Sequence, residues 1–153
     1  MTKKHQAFLL LFLLSLGLLA CQPDAPAEME VTVISQGDMA ALGETVYAEN
    51  CAECHGANLE GEANWQEPND DGTFRAPPHD ASGHTWHHDD KYLWERVKYG
   101  TAVLPPNTQN QSDMPAYDGI LTDQEILAVL MYIKSSWPPD IQEAQRQRNT
   151  SSN

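Results

Sequence analysis

Cys51-Ala-Glu-Cys54-His55 restricts this chain more than any other segment. On one turn of helix, two cysteines three residues apart point the same way, and a histidine directly after them lies beneath whatever they hold. A covalent c-type haem makes that demand: two sulfurs to add across vinyl groups on neighbouring pyrroles, and an imidazole to reach the iron. The other uses of a Cys-x-x-Cys pair find less support. A zinc site needs a second ligand pair, and the third cysteine, Cys21, belongs to a segment with its own purpose. A thiol redox pair sits in a βαβ pattern, which is missing here. A plain disulfide loop is the remaining alternative; the adjoining histidine weighs against it, and the export signal below fits c-type haem, which is attached outside the cytoplasm.

Residues 1–20 read as an export signal. Lys3 and Lys4 precede an apolar run from Ala7 to Ala20, broken only by Ser15 and Gly17. Such a run is short for a membrane span and right for a secretory signal. It ends Leu18-Leu19-Ala20-Cys21, which resembles the lipobox of bacterial lipoproteins. That resemblance implies cleavage before Cys21, lipidation of its sulfur, and stable anchoring by more than one acyl chain. The expected location is therefore the outer face of the cytoplasmic membrane, or an outer membrane, with which Gln22 is compatible. Residues 21–36, rich in Pro, Ala and acids, read as an extended tether. Residues 37–137 are left as one domain, and the polar stretch 138–153, without apolar periodicity after Ile141, is expected to be disordered.

Charge narrows the partners. The chain has 22 Asp and Glu against 9 Lys and Arg, a formal −13, and loss of residues 1–20 removes only positive charge. No basic cluster exceeds Lys3-Lys4 or Arg146-Gln147-Arg148, so a nucleic-acid partner is excluded. Anionic lipid would repel the domain, leaving the anchor to hold it at a membrane. Only Lys91, Lys98 and Lys134 lie in the domain, too few for a ring of lysines around a docking edge. A partner with a basic or apolar docking face is expected instead.

A haem iron needs a second axial ligand, usually a thioether or another imidazole. Met1 is removed, Met29 lies in the tether, Met39 precedes the haem motif, and Met131 sits in an apolar helical run. Met114 lies in a loop just before the last helix, followed by Pro115, which pushes it toward an extended backbone. It is the expected ligand opposite His55.

The Cys51–His55 motif after a short helix, the Met114-Pro115 loop and the ending from Thr122 to Trp137 resemble a monohaem class I cytochrome c. More narrowly, Asn50–Gly56, Ala76-Pro77-Pro78-His79-Asp80 and Gly83–His88 are similar to small bacterial membrane-tethered cytochromes c. The resemblance spans about Gly43 to Trp137. It implies an all-α cytochrome c fold, three to four helices with long loops around one covalent haem c. It also implies a proline carbonyl accepting the free ring N–H of His55, with Pro77 and Pro78 as candidates and Pro78 preferred. Trp86, Tyr99 and Tyr117 are candidates to line the ring or reach a propionate, with ordinary core packing as the alternative.

Three helices can be argued from the residues. The first runs from an Asp38 cap to Asn50 with Met39, Leu42, Val46 and Tyr47 on one side. Gly43 lies among them, and in class I cytochromes the first and last helices cross at such a residue. A middle helix fits Asp89 or Asp90 to Tyr99, stopped by Gly100, burying Leu93, Trp94 and Val97. The last opens on the capping box Thr122-x-x-Glu125, ends near Ser135 and carries Ile126, Leu127, Leu130, Met131 and Ile133. The aperiodic stretch from Gly56 to His88 is too long for an ordinary loop unless it packs on a fixed macrocycle.

Four histidines, His79, His84, His87 and His88, crowd one part of that stretch. They read as a zinc or copper site, as a substitute axial ligand, or as loop structure around the haem edge. The function expected for the whole is a single-electron carrier among the redox partners of a membrane-associated respiratory chain, without catalysis. The alternatives are a haem peroxidase or a gas or redox sensor with an open axial site, and a haem subunit of a larger oxidase or dehydrogenase.

Overall fold

Residues that cap helices divide the backbone of the computed structural model, which describes residues 35–108 and 111–151. Helix α1 covers Gln36–Asn50, capped by Ser35, whose hydroxyl accepts from the Asp38 amide. The Asp38 cap expected from sequence gives way to a serine three residues earlier, and Asp38 falls in the first turn, where a carboxylate suits the helix dipole. The single turn α2, Ala52–His55, follows at once. A 3-10 turn at Thr85–His87 leads into α3, Asp90–Tyr99, capped by the Asp89 carboxylate and stopped by Gly100 at φ 58°. Helix α4, Asp123–Ser135, opens on the reciprocal Thr122–Glu125 capping box. Helix α5 covers Pro139–Ser151. Among the described residues there are isolated bridges and no strands, so the chain is all-α, with five α-helices where three to four were expected. The signal segment 1–20, Cys21 and most of the tether 21–36 lie outside the described residues. None of the described helices is long and apolar enough to cross a membrane.

The core is the crossing of α1 on α4. Val46, Tyr47, Val129 and Ile133 are buried together with Leu59 and Trp137. A Cβ on Gly43 would land on the Ala128 carbonyl, so the two backbones meet at that glycine. Ile126 and Leu130, on another side of α4, bury against Leu93 of α3. Leu127 and Met131 are the exception among the apolar residues expected inside: they remain 51% and 44% exposed, because α4 is covered on only part of its circumference.

The end of the chain, described as far as Ser151, is helical where disorder over 138–153 was expected. Pro139 begins α5, where its missing N–H costs nothing. The helix docks mainly through polar contacts, which is why apolar periodicity failed to signal it. Gln145 is almost fully buried, and its amide donates to Asp90 Oδ1 at 2.6 Å. Asn149 accepts from the Asp90 amide at 2.8 Å, and Lys134 of α4 reaches the same Asp90 carboxylate at 2.7 Å. Asp90 thus ties three helices together.

Candidate functional site

The two thiols and the imidazole arise where α1 passes into α2. Cys51 ends α1 and caps α2, while Cys54 and His55 occupy the turn that follows. Both cysteines are free, Cys54 exposed and Cys51 half-buried. Burial, with a smaller push from Cys54, raises the Cys51 thiol to about 11, so it is protonated at neutral pH and unlike a reactive thiolate. His55 is buried, and its Nδ1 lies 2.8 Å from the Pro77 carbonyl. A carbonyl can only accept, so Nδ1 carries the proton and Nε2 is the nitrogen left for a metal.

The carbonyl partner is therefore Pro77, not Pro78, and packing explains the correction. Pro78 is wedged between Gly61 and Gly83: a Cβ on Gly61 would strike its nitrogen, and one on Gly83 its carbonyl. The Pro78 carbonyl is thereby turned toward Gly83 and accepts only a long contact, 3.4 Å, from the Thr85 hydroxyl. Pro77, one residue earlier, is left to meet the imidazole.

Burial lowers the pKa of His55, the Pro77 bond opposes that, the Arg96 charge lowers it further and Glu62 raises it. The resulting neutral imidazole is the ligating form. His79 stacks on His55 with ring centroids 4.0 Å apart, and its Nδ1 lies 2.8 Å from the Thr85 hydroxyl. Its pKa sits well below the ordinary histidine value, through burial first and then the neighbouring charges of His55 and His84. Tyr47 donates toward the carbonyls of His55, at 3.2 Å, and Gly56, at 2.9 Å, which holds the turn carrying the imidazole.

The segment 111–117, which carries Met114, is fastened beside this turn. Tyr117 donates to the Asn50 carbonyl at 2.5 Å, and the Ser112 hydroxyl accepts from Arg96 Nη2 at 2.7 Å. The Met114 amide donates to the same hydroxyl at 3.4 Å. Gly100 lets α3 end against the Pro115–Ala116 backbone, which a Cβ there would strike. The sequence thus places Met114 in a loop, and the tertiary contacts bring that loop to the end of α1 where the cysteines begin.

Trp86 donates its indole N–H to the Gly83 carbonyl at 3.1 Å and packs against the core around Tyr47. Tyr99 is exposed and meets Trp94 edge-on. The histidine segment forms rows of rings: Trp65 stacks on His84, His84 meets His88 edge-on, and His88 stacks on Tyr92. Among the described residues no group of three or more His, Cys, Asp or Glu is placed to hold a metal ion, so the zinc or copper reading of this segment lacks a ligand set.

Sequence reasoning missed Arg96 and Tyr47 as parts of the site, and it named His79 without foreseeing its stacking on His55. Arg96 carried a signal: a charge one turn after the core residue Leu93, on the same helix face. Among the described residues its Nη1 is buried without a hydrogen-bond partner.

The donor set fits a covalent haem. It offers two free sulfurs on one turn, an imidazole with its outer nitrogen already bonded, and a cationic nitrogen lacking an acceptor. Residues 40–137 match the Cytochrome c family model. No curated protein and no solved structure matches the chain.

Proposed function

The chain belongs to the cytochrome c family, and on that premise we propose that it is a single-electron carrier with one haem c, ligated by His55 and Met114 and tethered through lipidated Cys21 to a membrane that holds a respiratory chain. Family membership itself brings a covalently bound haem c and electron transfer as the general role. When bound, the haem supplies an iron that exchanges single electrons between ferrous and ferric states. The protein's part is to hold and tune. Cys51 and Cys54 fix the ring, Pro77 orients His55 and raises its basicity, and the fastened 111–117 segment presents Met114.

The observation that carries this reading is the buried His55 imidazole, its Nδ1 bonded to Pro77 beside two free thiols. The lysines support the choice of partner. Lys91 pairs with Glu95 at 2.5 Å, Lys98 with Asp123 at 2.7 Å and Lys134 with Asp90 at 2.7 Å. Each is engaged on the protein's own surface, which favours a redox partner that docks by basic or apolar residues.

The test is the ferric optical spectrum of the exported holoprotein, after mass spectrometry has counted one haem. Wild type is expected to show the weak far-red absorption of thioether-bound ferric iron, and Met114→Ala to lose it. A wild-type spectrum without that band leaves an open axial position and favours the peroxidase or sensor reading.

A further inference from the structure

Helix α5 lies beyond residues 40–137, the span matched by the family model. Its hold on the rest of the domain is polar along most of its length. Ile141 packs against the core in the first turn, and Ala144 is the one apolar side chain between it and Ser151. Past that turn, Gln145 donates to Asp90 at 2.6 Å and toward the His88 carbonyl at 3.3 Å, and Asn149 accepts from the Asp90 amide. One further contact depends on protons. Arg148 Nη2 lies 3.5 Å from His87 Nδ1, a long contact across the seam between α5 and the 3-10 turn. A guanidinium only donates, so the pair attracts only while Nδ1 keeps its lone pair. A proton placed there removes the acceptor and sets two cations face to face.

The surroundings offer that proton little compensation. The His87 ring packs on Trp86, centroids 3.8 Å apart, which gives it an aromatic neighbour in place of a counter-ion. His84 and His88 meet edge-on beside it, and His88 stacks on Tyr92 of α3. The carboxylates of this region have other work: Asp89 caps α3, and Asp90 holds Gln145 and pairs with Lys134 of α4. On α5 itself Glu143 pairs with Arg146. A cavity of about 520 Å³ runs along the seam, lined by His87, His88, Tyr92, Gln147 and Arg148 among others, and gives water access to the imidazoles. His88 is held below its ordinary value by burial first, then by His84, His87 and Arg148, with Asp89 opposing. Arg148 belongs to α5, so departure of the helix removes part of that cause. The open form then takes up the proton more readily, and by linkage proton uptake favours opening.

We propose that α5 is an acid-released latch: proton uptake by His87 and His88 frees its end, from Gln145 to Ser151, and uncovers the histidine segment. The latch stays shut above about pH 6.5, the ordinary histidine value, and opens as pH falls below it. Neither the haem nor the anchor takes part.

The experiment is amide hydrogen exchange of the full-length holoprotein at about pH 7.5 and about pH 5.5, corrected for the intrinsic pH dependence of exchange. Wild type is compared with His87→Gln/His88→Gln, Arg148→Gln and Asp90→Asn. In wild type the amides of α5 are expected to open roughly tenfold more often at the lower pH, the effect of one unit of differential protonation. Those of α4 keep their protection. The double histidine variant and Arg148→Gln are each expected to bring the α5 ratio close to one. Equal protection of α5 at both pH values in wild type overturns the proposal, as does equal loosening of α4. An acid response that survives in the double histidine variant and vanishes in Asp90→Asn makes the carboxylate the sensor and overturns it too. If the double variant leaves α5 unprotected throughout, Arg148→Gln decides alone, and undiminished acid opening there overturns the latch.

Discussion

The α1–α4 crossing and the loop from Gly56 to His88 both depend on backbones approaching closely, but different forces hold them there. At the crossing, Gly43 admits the Ala128 carbonyl and apolar side chains close around the gap. Burial stabilises it; Val46, Tyr47 and Ile133 were visible as helical periodicity, while the fully buried Val129 was not among the residues expected from it. In the loop, the close approach is Pro78 between Gly61 and Gly83, and polar bonds do most of the fastening. The Gly61 amide donates to the His55 carbonyl at 2.8 Å, Glu62 to Ala76 at 2.9 Å and His79 to Leu59 at 2.8 Å. Leu59, the loop's contribution to the core, adopts a left-handed φ of 69°, a strain tolerated because its side chain fills the space beside Tyr47 and Trp137. The crossing gives the molecule its stability, and the loop aims the imidazole.

Gly43→Ala strikes the crossing and carries the largest expected effect. The added methyl meets backbone that cannot rotate away, so a loss of about 3 kcal/mol is expected, at the upper end for overpacking. Denaturant unfolding of the holoprotein checks it. A loss as small as that of an exposed Gly→Ala change would show that the helices are not locked at this point.

Trp137 joins the two regions, because its ring lies in the core while its indole N–H donates to the loop carbonyl of His79 at 2.7 Å. Trp137→Phe keeps most of the apolar ring and strands that carbonyl. A loss of about 2 kcal/mol is expected from the broken bond and the reduced volume. The same unfolding measurement reads it, and an effect near zero would mean that the loop does not depend on this link.

Acid is expected to loosen the histidine rows with the smallest effect. His84 and His88 are held below the ordinary value of 6.5, by burial first and by neighbouring imidazoles second. The unfolded chain takes up these protons near 6.5 and the folded chain only at lower pH. Their contribution to stability is therefore intact above about 6.5 and drains away below it. Unfolding midpoints measured from about pH 7.5 down to about 5.5 should fall. His84→Gln/His88→Gln should flatten that slope, and an unchanged slope would place the acid sensitivity elsewhere.

Much of the architecture was legible beforehand because capping and periodicity are local. Asp89, the Thr122–Glu125 box, Gly100 and Asn50 set helix ends close to where the residues alone placed them. Helix α5 was not legible, since its anchor is Gln145 donating to Asp90, a polar contact between residues far apart in the chain. For the same reason Pro78 was preferred where Pro77 is the partner, since nothing local distinguished their carbonyls.

Two thiols and an imidazole on one turn, a methionine held extended by the next proline, and an excess of acid are written in the order of residues, because each depends on neighbours a few positions away. Which carbonyl meets His55, which hydroxyl steadies the Met114 segment, and which guanidinium nitrogen is left without an acceptor were decided only on folding. Those choices join residues many positions apart, and a hydrogen bond selects its partner by distance and direction once packing has fixed both ends.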